Sequence, residues 1–319
     1  MIKNPKIFAE IVGRNILEIE RIIEEIKKDE ALMNSKAIEK GKKLSGKYYY
    51  RYSKLKSSGK LRVYSPSCYD LKHIQQIITR KIFSQVKFPF YITGSIKKRS
   101  GAINAKIHKG KKHHLQTDLV GFFDFVTSKM VYQSLLALGF SPDVSYYITR
   151  LTTFVGHLPQ GAPTSPFLAN LVGLSIDELF ISLCHDNQIT YSRYVDDLTF
   201  SSNKDFKQVV TPILDKIGEL GFLFSYKKTH YKTGAIITTG VKSSYHSLNG
   251  KDEQIDKCFS HDTSFNSFKG ILGHLSYINE IDTKFDLKTF RKKFSELSYP
   301  KSIIFYKPKS NPPVLQTLE

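Results

Sequence analysis

Two adjacent aspartates, Asp196 and Asp197, sit inside YSRYVDDLTFS, whose flanking residues suit β-strands, and a third, Asp118, stands in LQTDLVGFF behind a segment that suits a buried strand. An Asp-Asp pair in such a place has an ordinary reading as a hairpin turn, because short acidic side chains cap their own backbone. A second reading follows if the Asp118 strand neighbours the hairpin in one sheet. Three carboxylates then meet at one edge, and each opposes the ionisation of the others unless a counterion is present. Hard dications supply that counterion, and Mg²⁺ takes carboxylate oxygens together with substrate phosphates. Two such ions close together clamp an in-line phosphoryl transfer, so the pattern points to nucleotidyl transfer.

Apolar spacing shows which elements must position these carboxylates. Ile7, Phe8, Ile11, Ile19, Ile22, Ile23 and Ile26 predict one or two amphipathic helices over residues 5 to 29. Tyr48 to Tyr52 and Leu61 to Tyr64 predict a hairpin turning at Ser57-Ser58-Gly59, and Leu71, Ile74, Ile78 and Ile82 share a helix face after Pro66. Residues 114 to 119 predict the strand that carries Asp118. Thr127 or Ser128 caps a helix that stops at Gly139, Ser141-Pro142 opens another, and PQGAPTSPFLANLV is a loop feeding a helix that runs to about residue 184. Strands over 191–195 and 198–202 flank the two aspartates; a helix through Phe206, Val209, Val210, Ile213, Leu214 and Ile217 follows, and short strands occupy about 222 to 242. Beyond Asn249-Gly250 the spacing is helical again. The predicted class is α+β, with a mixed body over 1–242 and a basic, mainly helical module over 243–319.

The chain has 319 residues, 40% hydrophobic and 24% charged, with a formal charge of +19. That balance excludes general disorder and favours a polyanionic partner, nucleic acid ahead of a membrane surface. No uninterrupted apolar run approaches the ~20 residues of a membrane span, and the N-terminal stretch lacks a signal peptide's hydrophobic segment. Residues 31 to 62 hold ten Lys or Arg against one acid, interleaved with Tyr48, Tyr49, Tyr50 and Tyr52, and offer partners to phosphates and to bases. From Lys284 to Lys309, eight basic residues face two acids, and Arg291, Lys292 and Lys293 lie between Phe290 and Phe294 at helical spacing. A solvated face is the plain alternative for either patch. Cys68, Cys184 and Cys258, few and scattered, read as free thiols of a reducing, cytoplasmic setting. His108, His113 and His114 cluster, yet no cysteine pair completes a zinc site with them, so phosphate or RNA contact, or a structural hydrogen bond, is the better reading.

On these residues the sequence resembles the bacterial retron-type reverse transcriptases, from about Tyr50 to Val241. Tyr194-Val195-Asp196-Asp197 matches the family's tyrosine-x-aspartate-aspartate box, with valine where alanine is more frequent. Asp118 matches the first catalytic aspartate, and Gln160-Gly161-Ala162-Pro163-Thr164-Ser165-Pro166 the loop that bounds the nucleotide pocket. Asn104-Ala105-Lys106-Ile107-His108 fits the retron asparagine-alanine-x-x-histidine motif, and Thr239-Gly240-Val241 resembles the later valine-threonine-glycine motif, with Thr238 in the valine position. Gly94 is followed by Ser95 where phenylalanine is frequent.

The resemblance implies a right-hand polymerase fold, with fingers and palm over 1–242 and a mainly helical thumb that also recognises RNA over 243–319. It implies an RNA-directed DNA polymerase that copies a cognate structured noncoding RNA into single-stranded DNA. Priming from an internal guanosine 2′-hydroxyl would leave a branched product, and a separate effector protein would join it in anti-phage defence. Asp118, Asp196 and Asp197 would be catalytic and, with Leu119, hold two Mg²⁺ ions. Lys54, Arg62, Phe123, Gln160, Gly161 and Lys228 would contact the incoming deoxynucleoside triphosphate, Phe123 by rejecting a 2′-hydroxyl. Asn104, His108, Arg291, Lys292 and Lys293 would contact RNA. Taken without the resemblance, Phe122 and Phe123 both read as core, and the choice between Lys227 and Lys228 stays open. The rival readings are an intron-associated or diversity-generating reverse transcriptase, a primer-extending RNA polymerase, and an RNA-binding scaffold with a vestigial site.

Overall fold

The computed structural model describes residues 1–34, 42–56, 59–244 and 246–250. Nearly all of the module expected over 243–319 lies outside the described residues, as do Cys258, Arg291, Lys292, Lys293 and the turn residues Ser57 and Ser58. In chain order the elements are α1 (Pro5–Val12), α2 (Ile16–Asn34), β1 (Lys43–Ser45), β2 (Tyr50–Leu55), β3 (Leu61–Tyr64), α3 (Tyr69–Ile77), α4 (Gly101–Ile107), β4 (His113–Asp118), α5 (Phe122–Phe125) and α6 (Ser128–Ala137). They continue with α7 (Pro142–Thr152), α8 (Ser165–Asp186), β5 (Thr190–Tyr194), β6 (Asp197–Ser202), α9 (Val210–Glu219), β7 (His230–Thr233), β8 (Ile236–Thr238), β9 (Val241–Ser243) and β10 (Leu248–Gly250). The mixture is the expected α+β class, divided into two compact units that interleave in sequence.

The first unit comprises Met1–Pro89, Val120–Leu179 and Glu219–Leu223. Its helices start where the sequence signals it: Thr127 accepts from the Met130 N–H to cap α6, and Ser141 accepts from Val144 to cap α7, with Pro142 at the first turn. Strands β1, β2 and β3 form an antiparallel sheet in which Tyr52 lies between Lys43 and Tyr64. Alternation puts Tyr50, Tyr52 and Lys54 on one face, beside Arg62 and Tyr64, and turns Ser53 inward to burial. On that face the Tyr50, Tyr52 and Tyr64 rings stack at 5.9 and 5.2 Å, with Lys43, Lys54 and Arg62 each over a ring. The buried Asp29 of α2 anchors the sheet by accepting backbone N–H bonds from Lys47 at 2.8 Å, Tyr48 at 2.7 Å and Tyr49 at 3.1 Å. Gly46 is required there, because a Cβ at that position would overlap the Asp29 carboxylate.

The second unit comprises Phe90–Leu119, Phe180–Gly218 and the described residues from Phe224 onward. Its main sheet is antiparallel, in the order β5-β6-β4-β7. One face carries the core, with Leu115, Tyr191, Leu198 and Phe200 buried on it beside Thr117 and Arg193, and Phe180 packs on Tyr191 and Phe200 with ring centroids 5.5 and 5.2 Å apart. The other face carries His114, Gln116 and Asp118 on β4, Asp197, Thr199 and Ser201 on β6, and Ser192 and Tyr194 on β5. A small sheet in the order β10-β9-β8 completes the unit.

Helix α8 is the helix expected to run to about residue 184. It has 22 residues and a window of mean hydropathy 1.6, long and apolar enough to cross a membrane by length and composition alone. Asn170, Asp177 and Glu178 interrupt the apolar run in sequence. Leu168, Val172, Ile176, Phe180 and Cys184 are buried at helical spacing, and Asn170 and Asp177 are fully buried with them, as in a core helix.

Asp29→Ala should strand three backbone donors and lower the unfolding free energy by about 3 kcal/mol, since an unsatisfied buried donor costs roughly 1–3 kcal/mol. Urea unfolding followed by circular dichroism measures this. Asp29→Asn, which keeps one acceptor oxygen, should cost less; an alanine variant as stable as the wild type would contradict the anchoring role.

Candidate active site

Register brings the three aspartates together. Asp118, the last residue of β4, pairs directly with Asp197, the first of β6. Asp196 precedes it in the turn, and its carbonyl accepts the Leu119 N–H at 2.9 Å. The Asp197 carboxyl is pushed up to about 7, by burial first, then by the charges of Asp196 and Asp118 and a hydrogen bond to Asp118. Lys228 supplies a compensating cation, its Nζ lying 2.7 Å from Asp118 Oδ1. Burial works against the Lys228 charge, but the hydrogen bond to Asp118 and the charges of all three aspartates outweigh it and raise the ammonium. Of the two adjacent lysines, Lys228 is the one that pairs with Asp118. A cavity of about 150 Å³ opens here, lined by Gln116, Asp118, Asp197, Lys228 and Thr239 among others.

Both readings of the Asp-Asp pair hold at once. Val195 and Asp196 are the two turn residues between β5 and β6, and Asp197 opens β6, one residue earlier than the sequence suggests. Val195 has φ 60°, in the left-handed region that favours glycine, while Asp196 is not among the positive-φ residues. A β-branched residue in that region costs about 1–2 kcal/mol, so its surroundings must hold it. Gly94 is one holder: a Cβ there would stand 2.5 Å from the Val195 nitrogen and 2.6 Å from its Cγ2. The fully buried Arg193 is another, donating from Nη1 to the Val195 carbonyl at 3.2 Å. The chain at Tyr91–Thr93 runs beside Arg193, whose N–H donates to the Tyr91 carbonyl at 2.8 Å and whose carbonyl accepts the Thr93 N–H at 2.9 Å. Arg193 and Thr93 carry no sequence signal of this role. Gly94 stands at a turn with Ser95, which has φ 57°, so its glycine has a local reading that hides this role.

Asn104 and His108, expected at RNA, present no exposed surface among the described residues. Both are fully buried, Asn104 in α4 and His108 as its C-cap. His108 Nδ1 lies 2.7 Å from Ser201 Oγ and its Nε2 2.7 Å from Ser192 Oγ, while Ser192 donates to Asn104 Oδ1 at 2.6 Å. Burial lowers the imidazole to about 3, with smaller contributions from His114 and Lys111. The second retron-type motif meets the first. Thr239 and Gly240, at φ 48° and 86°, make the turn between β8 and β9, and Thr239 Oγ1 donates to the Gly101 carbonyl at 2.7 Å, at the start of α4. His114 lies buried near the Lys111 carbonyl and His113 near Thr233, so the three histidines face different partners.

The expected nucleotide-contacting residues of the first unit are placed as follows. Lys54 and Arg62 stand directly opposite one another across β2 and β3, a like-charge pair that is destabilising unless an anion joins it. Phe122 is buried against Phe222, whereas Phe123 stays half-buried, which separates two residues that look alike in sequence. The Gln160 carbonyl accepts the Ser65 N–H at 2.9 Å, and Gly161, at φ 103°, lies against Pro66 where a Cβ would be 3.3 Å from its ring. Glycine is needed there on both counts.

Residues 54–259 match the family described as reverse transcriptase (RNA-dependent DNA polymerase). Retron Se72 reverse transcriptase of Salmonella heidelberg is 33% identical over 138 residues, 42% of this chain and 36% of that protein. Retron Ec86 reverse transcriptase of Escherichia coli is 30% identical over 237 residues, 70% of this chain and 72% of its own length. Retron Ec83 reverse transcriptase, also of Escherichia coli, is 38% identical over 111 residues, 32% of this chain and 36% of that protein. The alignments thus span about a third of the first and third relatives and nearly three quarters of the second. With the family match extending over more than half of the sequence and the Ec86 enzyme followed through most of its length, this chain belongs to the reverse transcriptases, RNA-directed DNA polymerases of the right-hand fold, in their bacterial retron-type branch.

Proposed function

We propose that the chain copies a cognate structured noncoding RNA into single-stranded DNA, starting from an internal guanosine 2′-hydroxyl and leaving a branched RNA–DNA product. The observation that carries the chemistry is the direct pairing of Asp118 with Asp197 beside Asp196. The retron-type relatives support the choice of template and product. In this reading the system acts in the cytoplasm in anti-phage defence with a separate effector protein, and Arg291, Lys292 and Lys293 help to recognise the RNA.

The donor type suits Mg²⁺, hard carboxylate oxygens crowded enough to lift Asp197 to about 7 with an ammonium drawn to Asp118, although among the described residues no three such side chains stand arranged around one ion position. Asp118, Asp196 and Asp197 would hold the ions, together with Leu119, which has only its backbone to offer. The metal, when bound, supplies charge stabilisation for an in-line phosphoryl transfer. The protein's own part is to hold the three carboxylates in register, and to keep Lys228 protonated as the proton source for departing pyrophosphate. In the first unit, Lys54 and Arg62 bind the triphosphate that relieves their mutual repulsion. Gln160 and Gly161 bring backbone close to the nascent base pair, and Phe123 screens the sugar.

Extension of a primer annealed to RNA, with labelled deoxynucleotides, tests the reading. Asp197→Asn should lower the rate by roughly three orders of magnitude, about 4 kcal/mol of barrier, with RNA affinity retained. Equal rates for variant and wild type would contradict the assignment.

Phe123→Ala should shift the ribonucleotide-to-deoxynucleotide incorporation ratio upward by about 10- to 200-fold, the range that pocket shape of this kind commands. Single-nucleotide incorporation measures the ratio, and an unchanged value would return Phe123 to a packing role.

A further inference from the structure

The polymerase reading leaves the asparagine–histidine motif of α4 without a task. We propose that α4 is the positioning element of the catalytic turn, with Asn104 and His108 as positioning residues that fix β5 against β6; this rests on the polymerase reading of the site. His108 touches one hydroxyl on each strand, Ser192 of β5 and Ser201 of β6, both at 2.7 Å. These two are not ladder partners, since Ser192 faces Thr199 and Ser201 faces Thr190. The ring therefore braces the hairpin diagonally, a restraint that the backbone ladder does not supply. Ser192 and Ser201 project from the same face of the sheet as Asp197, and Ser201 lies four residues, about 13 Å, along β6 from it.

Proton accounting gives the brace a direction. Ser192 commits its single proton to Asn104 Oδ1 at 2.6 Å, so its oxygen accepts from His108 Nε2–H. His108 Nδ1 then accepts from the Ser201 hydroxyl. The chain Ser201 to His108 to Ser192 to Asn104 uses each proton once and holds the imidazole in one neutral tautomer. Asn104 Oδ1 also accepts from Thr93 Oγ1 at 2.8 Å. Thr93 precedes Gly94, the residue on which Val195 sits. One amide oxygen thus joins the brace across the strands to the seat beneath the strained turn, while the amide nitrogen of the same side chain is buried without a partner.

Three variants test this. His108→Gln keeps a donor towards Ser192 alone, His108→Asn keeps a group towards Ser201 alone, and Ser201→Ala leaves α4 intact. For each, kcat for single-nucleotide addition on an annealed primer should fall by about 10- to 100-fold, the scale set by small misplacements of reacting groups. The deoxynucleotide KM and RNA affinity should stay within about twofold, the Mg²⁺ concentration for half-maximal rate should rise, and H108Q combined with S201A should lose little more than either alone. Independently of catalysis, amide hydrogen exchange across residues 191–198 should accelerate in H108Q and S201A. Unchanged exchange there would overturn the proposal, as would intact kcat in folded variants or a loss confined to RNA affinity. A wild type inactive on every primed template, with turn exchange faster in the variants, would sink the polymerase reading and leave the brace standing.

Discussion

Like-charge repulsion among three carboxylates is the constraint on which the second unit depends. Asp118, Asp196 and Asp197 are brought to one sheet edge by the register of β4 and β6, and neither a loop nor a single strand could hold them there. The raised Asp197 carboxyl and the Lys228 ammonium at 2.7 Å are two responses to the same crowding. Such an arrangement persists only where the surrounding packing outweighs it.

The strain falls at the turn, and the support lies beneath it. Val195 occupies a left-handed position that costs a β-branched residue about 1–2 kcal/mol. Gly94 gives up its side chain to let the turn settle, and buried Arg193 ties the turn's carbonyl. Rigid support is what a site needs when its work is to present charge without rearranging. The first unit poses the opposite problem, since Lys54 and Arg62 face one another on a sheet face of tyrosines and cations. Each site carries one sign of charge in excess, and each is relieved by the ligand chemistry proposed for it.

Much of this was legible in the sequence because charge and period are local. The hairpin around Asp196, the strand of Asp118, the caps Thr127 and Ser141 and the loop at Gln160 all follow from residue type and spacing. What escaped depends on distant segments. The motif that contains Asn104 and His108 says nothing of what they touch, and only the fold supplies Ser192 and Ser201 as their partners. The turn boundary was displaced by one residue because a valine at positive φ contradicts local preference. Phe122 and Phe123 are adjacent and alike, and packing by Phe222 is what tells them apart. Helix α8 was legible to about residue 184, but that Asn170 and Asp177 lie buried within it was not.

The most direct test of the central claim is the thermal stability of the wild type and Asp197→Asn, each with and without Mg²⁺, at a pH where carboxylates are ionised. If the three charges are held together against their repulsion, the neutral amide should raise Tm in the metal-free protein by about 2–4 °C, the shift expected for roughly 1 kcal/mol in a domain of this order of size. The Mg²⁺-dependent rise of the wild type should be largely lost in the variant. A metal-free Tm for Asp197→Asn at or below that of the wild type, with an equal response to Mg²⁺, would contradict the account.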